Sequence, residues 1–255
     1  MNKTKISAVS YLNTLPFVYG ITDSGFIENI DLHLCIPSDC SRNFLNKDAD
    51  IALVPVAALS KMKSFILLNE FCIGSKGNVK TVLLLSQVPL NKISKIHLDY
   101  DSVTSVNLVK VLAHYFWKIE PEWINLNEQT ESGIKSMESV VAIGNKTFEL
   151  EKEFQYCYDL STEWKKFTGL PFVFACWVAQ TYVEPSKLAE LTKALEWGIL
   201  NKNKAIEKLF NKSEFPSVNI NEYLENNIDF TFDEQKHKAL ELFTNYLKEL
   251  NLSQN

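Results

Sequence analysis

Lys5-Ile-Ser-Ala-Val-Ser-Tyr-Leu-Asn-Thr-Leu-Pro-Phe-Val-Tyr-Gly20 is the stretch on which the reading of this chain turns. An alternating apolar strand, Ile6–Val9, runs straight into a polar turn and then into Leu15-Pro16-Phe17. The turn gathers Ser10, Tyr11, Asn13 and Thr14, four hydroxyl or amide side chains able to donate to carboxylates without carrying charge. Such a strand end is a place to hold a small ligand.

Outward from that strand, short apolar runs alternate with amphipathic segments through the first two-thirds of the chain. Ile6–Val9, Leu32–Ile36, Ile51–Val54, Val82–Ser86, Lys95–Leu98, Val140–Ile143 and Phe172–Ala179 are the predicted strands. Asp50-Ile-Ala-Leu-Val-Pro55 is the clearest, a continuous buried run ended by proline. The pattern predicts an α/β fold with a mainly parallel sheet covered on both faces. Ser38 or Asp39 is predicted to cap one helix. The segment Asp99-Tyr-Asp-Ser-Val-Thr-Ser105 is predicted to cap another, with Val106, Val109, Leu112, Ala113 and Phe116 on its apolar face. From Ser186 onward the pattern is nearly all helix: Leu188–Leu200, Lys202–Phe210, Ile220–Asn226 and Asp233–Leu250. This layout predicts two lobes, residues 1–86 plus 178–255 and residues 87–177, with a ligand cleft between them and the helical C-terminal region packed on the first.

Composition narrows the function. The chain has 255 residues, 46% of them hydrophobic, ample for a real core, and a net charge of −5. No basic tract is long enough to track a phosphate backbone, so nucleic acid is not an expected partner. Arg42 is the sole arginine, and on a first-turn helix face it reads as solvated. An anionic ligand must then be held by backbone NH groups, hydroxyls, amides or lysines. Cys35, Cys40, Cys72, Cys157 and Cys176 show neither CxxC pairing nor zinc spacing, and read as reduced, mostly buried thiols. His33, His97, His114 and His237 lack ligand spacing. No run of about 18 apolar residues could span a bilayer. The N-terminus lacks the features of a signal peptide, so a cytoplasmic location is expected.

Several blocks together resemble the chorismate dehydratase family of the futalosine route to menaquinone. They are Ser10-Tyr-Leu-Asn-Thr-Leu-Pro16, Asp50-Ile-Ala-Leu-Val-Pro55, Cys72–Ser86, Asp101-Ser-Val-Thr-Ser105, Ile143-Gly-Asn145 and Glu163–Ala175. Asn145 departs from the family pattern, in which aspartate follows Ile-Gly. The resemblance implies a two-lobed type II periplasmic-binding-protein-like fold and an enzyme with neither metal nor organic cofactor. Its substrate would be chorismate, converted to 3-[(1-carboxyvinyl)oxy]benzoate and water, with no membrane or nucleic-acid partner. It implies catalytic roles for Asn13 and Thr81, and substrate binding by Ser10, Tyr11, Pro55, Ser102, Thr104, Ser105, Gly144 and Asn145. The substrate's own enolpyruvyl carboxylate could serve as the base.

Each of these residues also has an ordinary structural reading. Asn13 could shape the turn, Thr81 could be a strand former, and Ser102–Ser105 could be a helix cap with spare hydroxyls. Two other functions fit the same fold: the dihydroxynaphthoate synthase of the same pathway, and a non-catalytic protein that binds small carboxylates.

Overall fold

The structure, a computed structural model, describes residues 3–99, 102–127 and 131–253. They divide into two compact units: the chain up to Gly74 with Val173–Asp233, and Ser75–Phe172 with the chain from Glu234.

The first unit opens β1 (Thr4–Val9), α1 (Leu15–Asp23), β2 (Ile30–Cys35), α2 (Pro37–Leu45), β3 (Ile51–Pro55) and β4 (Ile66–Ser75). The second contains β5 (Val82–Ser86), β6 (Lys95–Leu98), α3 (Val103–Val111), β7 (Glu122–Asn125), β8 (Ser139–Ile143), α4 (Thr147–Leu150), β9 (Tyr156–Asp159) and α5 (Leu160–Thr168). The chain then returns through β10 (Phe172–Ala179), α6 (Pro185–Leu200), α7 (Lys202–Leu209), α8 (Ile220–Asn226) and β11 (Asp229–Thr231), and closes with α9 (Glu234–Ser253) in the second unit.

Each unit is built on one mixed sheet. The first has the order β11-β4-β10-β3-β1-β2 and the second β7-β6-β8-β5-β9. In the first, β2, β1 and β3 run parallel and β10 runs antiparallel to β3. In the second, β7, β6 and β8 are parallel, while β5 pairs antiparallel with both β8 and β9. The continuous apolar run of β3 fits its place between β1 and β10, where Ile51, Ala52, Leu53 and Val54 are fully buried. β2, at the sheet edge, keeps only half-buried and exposed positions.

Helix packing is very close where α1 meets α6. Leu191, Ala194, Leu195 and Gly198 form the buried stripe of α6 at helical spacing. At their contact, a methyl group added to Gly20 would lie 2.0 Å from the Ala194 carbonyl oxygen, and one added to Gly198 would lie 2.0 Å from that of Pro16. The two helices touch backbone to backbone. Phe17 on the next turn of α1 packs edge-on against Trp177 of β10 and Phe230 of β11, with ring centroids 5.7 and 5.2 Å away.

Two sequence expectations change here, and one holds. α2 begins with Pro37 at its first position and Ile36 as N-cap, so neither Ser38 nor Asp39 caps it; proline's fixed φ suits the first helical residue. The expected cap of α3 within Asp99–Ser105 holds, with Ser102 as the N-cap; Asp101 lies outside the described residues. The unit boundaries fall at Gly74 and Phe172 rather than at 86 and 177, and α9 does not join α6–α8 in the first unit. Its Phe243 packs edge-on against Trp164 and Phe172, and Tyr246 meets Tyr115 and Phe167, all within the second unit. That aromatic cluster, laid down by α5 and its surroundings, gives the apolar face of α9 its partner.

Candidate active site

In the first unit, parallel β1, β2 and β3 end together, and the turn after β1 carries the residues expected to bind a ligand. The Ser10 amide donates to the Cys35 carbonyl at 3.0 Å, tying this turn to the end of β2. Ser10 is exposed and Tyr11 half-exposed. The Thr14 hydroxyl is engaged within the turn, 2.6 Å from the Val9 carbonyl and 2.7 Å from that of Tyr11. It is therefore a structural member of the turn. Pro55 is buried at the end of β3, opposite Ala175 of β10.

Asn13 differs from its neighbours. Its Oδ1 is buried and has no hydrogen-bond partner among the described residues. Such a group carries an unrecovered desolvation cost of about 1–3 kcal/mol, and an orphan of this kind marks local strain, an ordered water or ion, or a role in chemistry.

In the second unit the expected residues also collect at one end of a sheet. Val82 pairs with Ile143, so Thr81 stands beside Gly144, whose amide donates to the Thr81 carbonyl at 3.0 Å. Parallel β6 ends at the same side, and there Ser102, Thr104 and Ser105 begin α3, all buried. Ser102 accepts from the Ser105 amide at 3.2 Å, and the two hydroxyls lie 3.0 Å apart. Capping is thus one task of Ser102. Gly144 has φ of +71°, a conformation open to glycine and strained for most other residues. Its carbonyl accepts from the Thr147 hydroxyl at 2.8 Å. Asn145 follows in the same turn, half-buried.

Two acidic groups hold this end in place, and neither was singled out as a site residue from the sequence. Buried Asp99 pairs with Lys146 at 2.8 Å, joining the end of β6 to the turn after β8. Asp159, the N-cap of α5, accepts from the Thr162 amide at 2.9 Å through Oδ1, and from the Val79 and Lys80 amides at 2.9 and 2.8 Å through Oδ2. It thereby pins the loop that leads into Thr81. Lys80 has φ of +62°, a left-handed conformation that costs roughly 1–2 kcal/mol outside glycine, and the carboxylate offsets that cost. Asp159-Leu-Ser-Thr162 before an amphipathic segment is an N-cap signal present in the sequence; its second role, 80 residues away at Val79 and Lys80, is not.

Burial is the largest influence on the Asp159 carboxyl and raises it above the ordinary carboxylate range, against the pull of its three amide donors. The folded chain thus holds this proton more tightly than the unfolded chain. The resulting contribution is fully present below the unfolded value and is lost as pH rises through the folded one. Asp159→Asn replaces one acceptor oxygen with a donor facing an amide. The expected result is a loss of about 2 kcal/mol in stability as the loop leading into Thr81 loses its anchor. Denaturant unfolding checks it.

Arg42 pairs on the exposed surface of α2 with Asp39 at 2.8 Å. The His97 ring lies 2.9 Å from the Ser139 carbonyl. Among the described residues no cluster of three or more His, Cys, Asp or Glu side chains could hold a metal, and no helix is long and apolar enough to cross a membrane.

A family profile described as "Menaquinone biosynthesis" matches residues 4–249. A curated relative, the chorismate dehydratase of Thermus thermophilus, is 27% identical over 198 residues, covering 69% of this chain and 70% of the relative. Among solved structures, protein AF1704 from Archaeoglobus fulgidus superposes with a TM-score of 0.73 at 14% identity, covering 98% of each chain. A Candida albicans protein described as having the generic periplasmic binding protein fold gives 0.59 at 13% identity, covering 98% of this chain and 95% of that one. The fold of this chain is accordingly the periplasmic-binding-protein fold.

Proposed function

Since the chain belongs to the menaquinone-biosynthesis family, we propose that it is a chorismate dehydratase, a lyase that removes water from chorismate to give 3-[(1-carboxyvinyl)oxy]benzoate. The observation that carries this reading is the buried, unpartnered carboxamide oxygen of Asn13 at the end of β1. The turn that carries it also bears the hydroxyls of Ser10 and Tyr11, uncharged groups suited to a substrate with two carboxylates and one ring hydroxyl.

Loss of water breaks the ring C–O bond and removes the hydrogen on the carbon bearing the enolpyruvyl ether. The new ring double bond completes a benzene ring, which drives the reaction. The hydrogen that leaves is acidified through the adjacent double bond by the ring carboxylate. The protein's work is to orient the C–O bond, stabilise charge moving onto that carboxylate and keep water away.

In this reading Asn13 accepts the hydrogen of the ring hydroxyl and fixes its direction, and Thr81 bonds the reacting part of the ring. Ser10 and Tyr11 contribute donors, with Pro55 as a wall. Ser102, Thr104 and Ser105 hold a carboxylate at the start of α3, where the helix dipole favours negative charge, and Gly144 and Asn145 complete that set. The substrate's enolpyruvyl carboxylate takes the ring proton, so no protein base is required.

Purified protein incubated with chorismate alone tests the reading. The expected result is loss of the cyclohexadiene absorbance and a product lighter by one water. Unchanged chorismate that nonetheless binds saturably would replace the enzyme with a carboxylate-binding protein. Absence of both turnover and binding would shift the search to the dihydroxynaphthoate synthase reaction.

A further inference from the structure

The first unit holds a second group of reactive side chains that the proposed dehydration does not use. Cys35 ends β2 and Cys40 lies in the first turn of α2. Both are thiols, and their sulfurs are 3.2 Å apart. A disulfide bond is about 2.05 Å long, so a relative shift of roughly 1.1 Å would join them. Cys35 Sγ also lies 3.3 Å from the Ser7 hydroxyl and 3.9 Å from Asn43 Nδ2, and Asn43 Nδ2 donates to Ser7 Oγ at 3.2 Å. These polar groups can stabilise negative charge on the Cys35 sulfur.

The two thiols are unequal. The hydrogen bond from Cys40 holds the Cys35 thiol below the ordinary cysteine range, working against its partial burial, and the Ser7 hydroxyl and His33 help. The same bond, together with burial, pushes Cys40 upward. Cys35 is half-buried and Cys40 fully buried, so a small oxidant meets Cys35 first. The other three cysteines are poor competitors. Burial raises Cys176 to about 12; Cys157 is exposed, but partial burial of its sulfur together with the Glu151 and Asp159 carboxylates pushes its thiol up to about 11. The buried Cys72 sulfur lies 3.6 Å from the Thr231 carbonyl.

We propose that Cys35 and Cys40 form a peroxide-sensitive dithiol that closes reversibly to a disulfide. The Cys35 thiolate attacks one oxygen of hydrogen peroxide, the O–O bond breaks, and the departing hydroxide leaves as water after taking a proton. Cys35 is left as a sulfenic acid. The Cys40 sulfur then attacks the Cys35 sulfur, the S–O bond breaks, and the sulfenic hydroxyl leaves as a second water with the Cys40 proton. Two thiols and one peroxide give one disulfide and two waters. The bond fastens the end of β2 to α2, at the point where the Cys35 carbonyl holds the Ser10 amide. The proposal stands independently of the substrate.

The test uses the full chain. Peroxide is added in stoichiometric steps, remaining thiols are capped with iodoacetamide, and tryptic peptides are weighed. Trypsin releases Ile6–Arg42 as one peptide, which contains no internal lysine or arginine and only these two cysteines. The expected result is that this peptide, uncapped, becomes lighter by two hydrogens and returns to the doubly capped form after dithiothreitol, while Cys157 remains capped throughout. Cys40→Ser should leave Cys35 trapped as a dimedone adduct. The proposal is overturned by Ile6–Arg42 doubly capped at peroxide doses that oxidise Cys157, or by Cys35 paired with another cysteine. Because the wild-type peptide is the primary readout, a Cys40→Ser variant that fails to fold does not weaken the test.

Discussion

Asn13→Ala is expected to lower kcat/KM for chorismate by about 10²–10³-fold, the scale of removing one group that orients a transition state, while leaving stability unchanged or slightly raised. The two halves of that expectation come from one observation. Asn13 Oδ1 is buried without a partner among the described residues, so deleting it breaks no hydrogen bond through that oxygen and relieves a desolvation cost. A turn-shaping asparagine would behave in the opposite way, losing stability by about 1 kcal/mol with activity following it down. Kinetics and thermal unfolding measured side by side distinguish the two. A variant with wild-type turnover removes Asn13 from the site. A variant that loses stability and activity together makes it a turn residue.

The largest effect on stability is expected at Gly198. A methyl group there would stand 2.0 Å from the Pro16 carbonyl oxygen and within 2.9 Å of the Gly20 backbone. No side chain can rotate away to relieve this, because every obstructing atom belongs to main chain. α1 must therefore move as a body. Gly198→Ala should cost about 3 kcal/mol or more, a fall in Tm of roughly 6–12 °C for a chain of this size. Because α1 follows the turn that carries Asn13, turnover should fall as well. Gly77→Ala is the control: no atom lies within 4 Å of the added carbon, and its Tm should match wild type. Equal melting of Gly198→Ala and wild type would refute the close helix contact.

Much of the fold was legible because burial writes itself into local pattern. Strands β5, β6 and β10 occupy the predicted residues, β5 and β10 because each is a fully buried, mostly apolar run; α8 does too, its buried Ile220, Tyr223 and Leu224 recurring at helical spacing. β4, β7, β9 and β11 were missed for different reasons. Ile66–Ser75 mixes Asn69 and Glu70 into an apolar run with no period of two, while Glu122–Asn125, Tyr156–Asp159 and Asp229–Thr231 are short and polar. The face of α9 was readable from Ala239, Phe243 and Leu247. Its partner was not, because a helical period states that a face is buried without stating where.

The candidate site divides in the same way. The polar turn after β1 was visible as a cluster of adjacent residues. The pinning of Val79 and Lys80 by Asp159, the Asp99–Lys146 pair and the approach of Cys40 to Cys35 depend on strand order and helix placement. Local spacing does not encode these.

The order of strands in the first sheet also bears on how the protein is made. β10 lies between β3 and β4, yet Ala175, which pairs with Pro55, leaves the ribosome roughly 120 residues after it. At 5–20 residues per second that is about 6–24 s, during which the emerging chain holds a fully apolar strand with one edge unpaired. Such an edge invites pairing with other chains. Synthesis of this protein therefore has a vulnerable interval that ends when β10 arrives, and nascent-chain binding factors would have their greatest effect within it.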